Sequence, residues 1–429
     1  MKQARLWSVV CLAVAGSAGA LGCGDNDGGG GDPCEGVTGT CVGIKSDATP
    51  AEAQRALINA TSGSTIAFGE GTFKFKTGLS LDVDDVTIIG QGMDKTILSF
   101  LGQTDGAQGL LVTANDFTLE DIAFEDTRGD SVKIEGANRV IIRRTSVKWT
   151  AGPNETNGSY GLYPVQSKNV LIEDSYVSGA SDAGIYVGQS ENVVVRRNKA
   201  ENNVAGIEIE NCKKSDVYGN TATKNTGGIL VFNLPGLQVG NGAQTRVYDN
   251  DIYENNTSNF APMGNIVGTV PAGTGVVVLA ATQTEIFNNR IRDNKTNNIG
   301  VISYLVLGIP ITDPTYDPFT TALHVHDNMI SGVSDGPNGD LGALLLISLP
   351  QAGITTGIVP DMAWDGIMDP SRMTGGEYMA QYKLCFRANG DADFLNLNAP
   401  PDMPPLASTN ATGFACTHAA LPAVTLEGI

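Results

Sequence analysis

Gly184-Ile-Tyr-Val-Gly, Gly206-Ile-Glu-Ile-Glu and Gly228-Ile-Leu-Val-Phe are one phrase written three times, at intervals of 22 residues. Gly161-Leu-Tyr-Pro-Val stands 23 residues upstream of the first, and Gly275-Val-Val-Val-Leu stands 47 downstream of the last, two periods or one period with an inserted loop. Each copy opens on a small residue and continues with alternating apolar side chains, so each is a short strand with one buried face. A fixed period of this length, mixing short strands with Asn-rich turns, predicts a parallel β-solenoid in which every coil buries its apolar residues against its neighbours.

A second strand in each copy ends on a polar residue at a constant place: Thr145, Ser175, Asn198, Asn220, Asn250, Asn289 and Asn328. Coils stacked about 4.8 Å apart would bring these side chains into one column, each bonding the next and satisfying the backbone at a bend. Such a ladder needs no metal ion.

Composition sets the outer limits. The 429 residues include 53 Gly and only 6% aromatics, which suits one elongated domain closed by covers at both ends. Residues 50–60 show helical spacing after Thr49, a plausible N-cap, and predict an N-terminal covering helix. The expected divisions are a leader at 1–22, a tether at 23–46, the solenoid at 47–350 and a C-terminal cap at 351–429. Leu341–Leu349 reads as the last strand. The formal charge of −19 becomes −21 once a leader carrying Lys2 and Arg5 is removed. That excess excludes nucleic acid as a partner and leaves acidic glycans needing a bridging cation, for which Ca2+ is the hard ion that oxygen ligands would take.

Lys2 and Arg5 precede an apolar stretch from Leu6 to Leu21, the pattern of an export leader rather than a membrane span. Ala20-Leu21-Gly22-Cys23 resembles a bacterial lipobox, with Cys23 as the lipidated residue; its Leu lies one place too near the Cys, so cleavage by ordinary signal peptidase stays open. The implied location is the bacterial cell envelope, on the outer membrane or the surface, with the membrane touched only through the lipid. Export permits disulfides, and Cys34 with Cys41 and Cys385 with Cys416 are the natural pairs. Cys212 is left over and reads as a small buried residue.

Strand alternation then names the outward side chains of the first strand in each coil. One column runs Leu111, Lys133, Tyr163, Tyr186, Glu208, Leu230, Val277, and a second runs Thr113, Glu135, Val165, Gly188, Glu210, Phe232, Leu279. Tyrosines beside carboxylates suit a polysaccharide, since rings stack on a pyranose face while carboxylates accept from its hydroxyls. Tyr160 and Trp149 would extend the platform, and Asp182 orders a turn close to it. Lys133, Tyr163, Glu208 and Glu210 are the groups for proton transfer: the two glutamates as a carboxylate pair of the inverting-glycosidase type, and Lys133 or Tyr163 as acceptor or donor in uronate elimination if neighbours lower its pKa. An exposed Glu-x-Glu on a sheet face is also a plain solvated edge, and that reading stands beside the first. The apolar continuation at Leu230, Phe232, Val277 and Leu279 calls for a cover, expected from the insertion between Pro235 and Thr274. His324 and His326 alternate on one strand face and make half a metal site at most; they read as two surface histidines.

The coils resemble the pectin-lyase-like right-handed β-helix superfamily over roughly Asp47 to Pro350, which implies an all-β, right-handed parallel β-helix. Tyr160-Gly-Leu-Tyr-Pro-Val-Gln followed by Asn169-Val-Leu-Ile-Glu-Asp-Ser is similar to a stretch of mannuronan C5-epimerases reading Tyr-Gly-Phe-Asp-Pro-His-Glu. The epimerase Asp falls on Tyr163 and its His on Val165, so that mechanism is not carried over. Tyr160-Gly-Leu-Tyr-Pro-Val, Ser181-Asp-Ala-Gly-Ile-Tyr-Val-Gly-Gln-Ser and Val204-Ala-Gly-Ile-Glu-Ile-Glu-Asn look like a family of exported, lipid-anchored bacterial β-helix proteins. That resemblance implies an exported c-type cytochrome-like partner, for which the chain would be a non-catalytic scaffold. The chain has no Cys-x-x-Cys-His of its own.

Overall fold

A computed structural model describes residues 31–399 and 407–429. The leader and Cys23 lie outside the described residues. Parallel strands stack coil on coil into three walls. The first wall is an 11-stranded parallel sheet that runs from Thr77–Leu81 through Asp105–Val112, Asp130–Glu135, Tyr160–Val165, Ala183–Gly188, Ala205–Glu210, Gly227–Phe232, Thr274–Leu279 and Asn297–Ile302 to Met362–Trp364 and Phe394–Asn396. The other two walls are hydrogen-bonded into one 20-stranded sheet, because Phe117–Glu125 and Asn138–Lys148 run on from one wall into the next.

The interior is the column of alternate side chains that the repeat predicts. Val132, Leu162, Ile185, Ile207, Ile229, Val276 and Ile299 are each fully buried and follow one another in register. The glycine that opens each copy is dictated by the coil above it. A Cβ on Gly206 would lie 2.6 Å from the carbonyl of Gly228, and one on Gly228 would lie 2.5 Å from that of Gly275. No larger residue lets the coils close to sheet spacing there.

The polar ladder forms as expected. Asn220 Nδ2 donates to Asn250 Oδ1 at 3.0 Å, Asn250 to Asn289 at 2.9 Å and Asn289 to Asn328 at 2.9 Å, and Asn389 adds a further rung. A second ladder, Asn203–Asn225–Asn255–Asn294, runs at the neighbouring corner and was not anticipated. The N-terminal cover is the helix Pro50–Ile58, closed by a capping box between Thr49 and Glu52 and buried through Ala53 and Leu57. Both disulfides pair as expected, and Cys212 is free and buried, its thiol pushed up to about 12 by burial.

Three expectations are corrected. Leu341–Leu349 is not a strand: Gly339–Ser348 is an α-helix, and a continuous apolar run carries no period with which to choose between the two. The coils also pass the expected bounds at 47 and 350, since Thr40–Ile44 pairs with Ser64–Phe68 and Leu384–Arg387 pairs with Leu323–His326. Finally, the C-terminal cap is only half of its segment. Phe414 covers Trp364, Phe386 and Phe394 on the last coils. Beyond Cys416 the chain turns back along the second wall as a strap, its Leu421, Val424 and Glu427 amides donating to Glu285, Asp216 and Asn169 on successively earlier coils. Among the described residues no helix is long and apolar enough to cross a membrane.

Candidate functional site

The outer side of the first wall carries the predicted columns in the predicted register. Leu111 pairs with Lys133, Lys133 with Tyr163, Tyr186 with Glu208, Glu208 with Leu230 and Leu230 with Val277. Glu135, Val165, Gly188, Glu210, Phe232 and Leu279 follow in the second column. The structure thus brings Lys133, Glu135, Tyr163, Tyr186, Glu208 and Glu210 onto one face, together with Tyr160 and Asp182.

The rings converge further than the sequence implies. Tyr160 lies 4.5 Å from both Tyr163 and Tyr186, and Tyr163 meets Tyr186 edge-on at 5.0 Å. Lys133 reaches over the Tyr163 ring at 5.4 Å and pairs with Glu135 at 3.0 Å. Tyr160, Tyr163, Lys133 and Glu135 are half-buried, leaving part of each in solvent. Trp149 does not belong to this platform. Its indole is buried in the main core and donates to the Thr127 carbonyl at 2.8 Å, because the loop that holds it turns inward.

Beyond Tyr186 the same face is roofed. Val267 and Val270 of the inserted segment, with Tyr304 and Tyr316 from a second loop, pack on Tyr186, Leu230, Phe232, Val277 and Leu279. The first of these covers is the one the apolar columns demanded. The second was missed because nothing between Ser303 and Pro318 has a period; the Tyr316 hydroxyl donates to the Asn233 carbonyl at 2.6 Å, and the buried Asp365 accepts from the Ser303 amide at 2.6 Å. Asn265 on the lid donates to Asp182 at 3.0 Å.

The roof changes the acids. Glu208 and Glu210 point outward from the sheet yet are 3% and 7% exposed, so they are not a solvated edge. Glu210 accepts from the Tyr186 hydroxyl at 2.7 Å, while Glu208 Oε2 is buried without a hydrogen-bond partner. Burial raises the pKa of Glu208 well above the carboxylate range, with Asp182 and Glu210 adding to it, and raises Asp182 and Glu210 to about 7. Asp182 and Glu210, raised toward neutrality, are placed to give or to take a proton there. Tyr163 moves the other way from the expected base: burial, then Asp130, Glu210 and Glu135, hold its hydroxyl above the ordinary range.

Asp130 is the functional candidate that sequence reasoning missed. It neighbours Gln108 on one side, and Tyr160 neighbours Ala183 on the next coils, so they form a third outward column two residues ahead of the apolar alternation. Burial raises the Asp130 carboxyl to about 6 against the pull of Lys133. Strict alternation puts Asp130 in phase with the buried Val132 and Ile134, so the repeat frame alone does not find it.

Residues 94–241 match the family described as "Right handed beta helix region". Among solved structures the chain is similar to the A-module of the Azotobacter vinelandii mannuronan C-5 epimerase AlgE4, at 17% identity over 80% of this chain and 92% of that one, with a TM-score of 0.44. It is similar also to pectate lyase Pel9A, at 12% identity over 78% and 77% with a TM-score of 0.36. A third likeness is to an alginate lyase from Paenibacillus sp. str. FPU-7, at 13% over 68% and 99% with a TM-score of 0.30. No curated protein sequence matches. The parallel coils, with the family match over residues 94–241, make the fold a right-handed parallel β-helix.

Proposed function

We propose that this is a cell-envelope-anchored β-helix that binds a polysaccharide along the open part of the first wall, across Lys133, Glu135, Tyr160, Tyr163 and Asp130, up to the lid at Tyr186 and Asp182. The observation that carries the reading is the three-tyrosine cluster, in which half-buried Tyr160 and Tyr163 face the groove on the buried Tyr186 ring, flanked by a lysine and carboxylates on consecutive coils. Ring faces with charged acceptors beside them match the two faces of a sugar. Four coils from Leu111 to Tyr186 give a strip of about 14 Å.

Binding is favoured over turnover by the position of the acids. Glu208 and Glu210 stand under the lid, so proton transfer from either to a bound chain requires the lid to move, whereas Lys133 faces the open groove. Glycan-array binding with and without Ca2+ tests the reading. Saccharide binding that is lost in Tyr163→Ala and Tyr186→Ala supports it. No glycan signal, with co-purification of an exported cytochrome-like protein, replaces it with the scaffold reading.

A further inference from the structure

The second wall holds a cluster that the glycan reading does not use. Glu285 lies on the strand Thr282–Phe287, directly beside His324 on the strand Thr321–His326, and His326 follows on the same side of that strand. One donor atom from each of Glu285, His324 and His326 lies within 4.8 Å of the other two. His418, on the strap, stands with its ring 6.2 Å from that of His324, and a cavity of about 280 Å3 opens among Glu285, His324, Gln381 and His418. Surface histidines were expected here, but His324 is 7% exposed because the strap closes over it.

We propose that Glu285, His324 and His326 bind one divalent transition metal of the Zn2+ type, with its fourth position open to the cavity. Two orphaned atoms argue for it. Neither ring nitrogen of His324 has a hydrogen-bond partner, although both are buried. Buried polar groups left in this state are costly and ask for a ligand. His326 is oriented as a metal-binding imidazole is: its Nδ1 faces the Asp327 carboxylate at 2.7 Å, the partner that fixes the proton there and turns the Nε2 lone pair outward. That Nε2 lies 3.2 Å from Glu285 Oε1, close to the edge of a tetrahedron with bonds of about 2.0–2.2 Å.

A proton shared between His326 and Glu285 would explain that one contact and leave His324 with nothing. Two imidazoles also select against Ca2+, which takes oxygen ligands. The other Glu285 oxygen accepts from the Leu421 amide at 3.1 Å, so a metal on Glu285 would fasten the strap that Cys385–Cys416 anchors.

The test is Zn2+ titration calorimetry on the chelator-treated, oxidised chain, with Co2+ as a coloured probe. One equivalent should bind, with visible bands of low-symmetry Co2+ and a raised Tm. Glu285→Gln keeps the side-chain volume and should fold, and His324→Ala is checked by circular dichroism. Each should weaken binding by more than ~100-fold, and Asp327→Asn by about 10–100-fold, the range for a positioning partner. Absence of binding at millimolar Zn2+, or equal binding in Glu285→Gln and the native chain, overturns the proposal.

Discussion

The outer face of the first wall is one surface treated in two ways. On the coils of Lys133 and Tyr163 it is open; on those of Glu208, Leu230 and Val277 it is roofed by Val267, Val270, Tyr304 and Tyr316. Further on, the helix Gly339–Ser348 covers the stretch near Ala363 and Leu395. Glu135 and Glu210 occupy the same column, yet Glu135 is nearly half-exposed and paired with Lys133, while Glu210 is buried and raised to about 7. Register decides which way a side chain points, and the loops decide what solvent it meets.

The largest effect should come from the roofed half. Phe232→Ala empties a fully packed site under the lid and should cost about 3–5 kcal/mol in urea unfolding, with Tyr163→Ala on the open half costing much less. Equal losses would mean that the two halves are not differently packed.

A second difference lies in pH. Asp182 and Glu210 keep their protons to about 7 in the fold, whereas unfolded carboxyls release them near 4. Between these values the folded chain binds more protons, so this contribution is full below about pH 4 and is lost as pH rises through about 7. Glu208, raised by the same burial, loses stability in the same direction as pH rises. Glu208→Gln should therefore raise Tm at pH 8 and leave it nearly unchanged at pH 4. A Tm gain of the same size at both pH values would remove the buried acid from the account.

Smaller effects separate lid from groove. Asn265→Ala removes the lid's bond to Asp182 and should cost about 1 kcal/mol, with faster hydrogen exchange confined to residues 259–270. Lys133→Met breaks a half-exposed ion pair and should change stability by no more than about 1 kcal/mol, while weakening glycan binding. A stability loss as large as that of Phe232→Ala would make Lys133 a structural residue.

Much of this was legible in the residues because a strict period ties each side chain to its coil. The glycine column, the asparagine ladder and the Lys133–Tyr163–Tyr186–Glu208 register all follow from it. What has no period was not legible. The helix Gly339–Ser348 is uniformly apolar, and the strap and the loop carrying Tyr304 and Tyr316 occupy aperiodic sequence. Trp149 was misplaced for the same reason, since it lies in a loop between strands and nothing in its neighbours fixes its direction. The candidate site was therefore found by position, while the surroundings of its groups were not: Glu208 and Glu210 are buried instead of forming a solvated edge, and the condition set for Tyr163 as a proton acceptor, a lowered pKa, is not met.

The most direct test of the central claim is calorimetric titration of the oligosaccharide that scores highest on an array into the native chain, Tyr163→Ala and Phe319→Ala, the last lying in the loop beyond the lid's Tyr316. A groove on the open coils predicts measurable affinity in the native chain, retained in Phe319→Ala and lost in Tyr163→Ala. Affinity unchanged by Tyr163→Ala, or no saccharide bound at all, would contradict it.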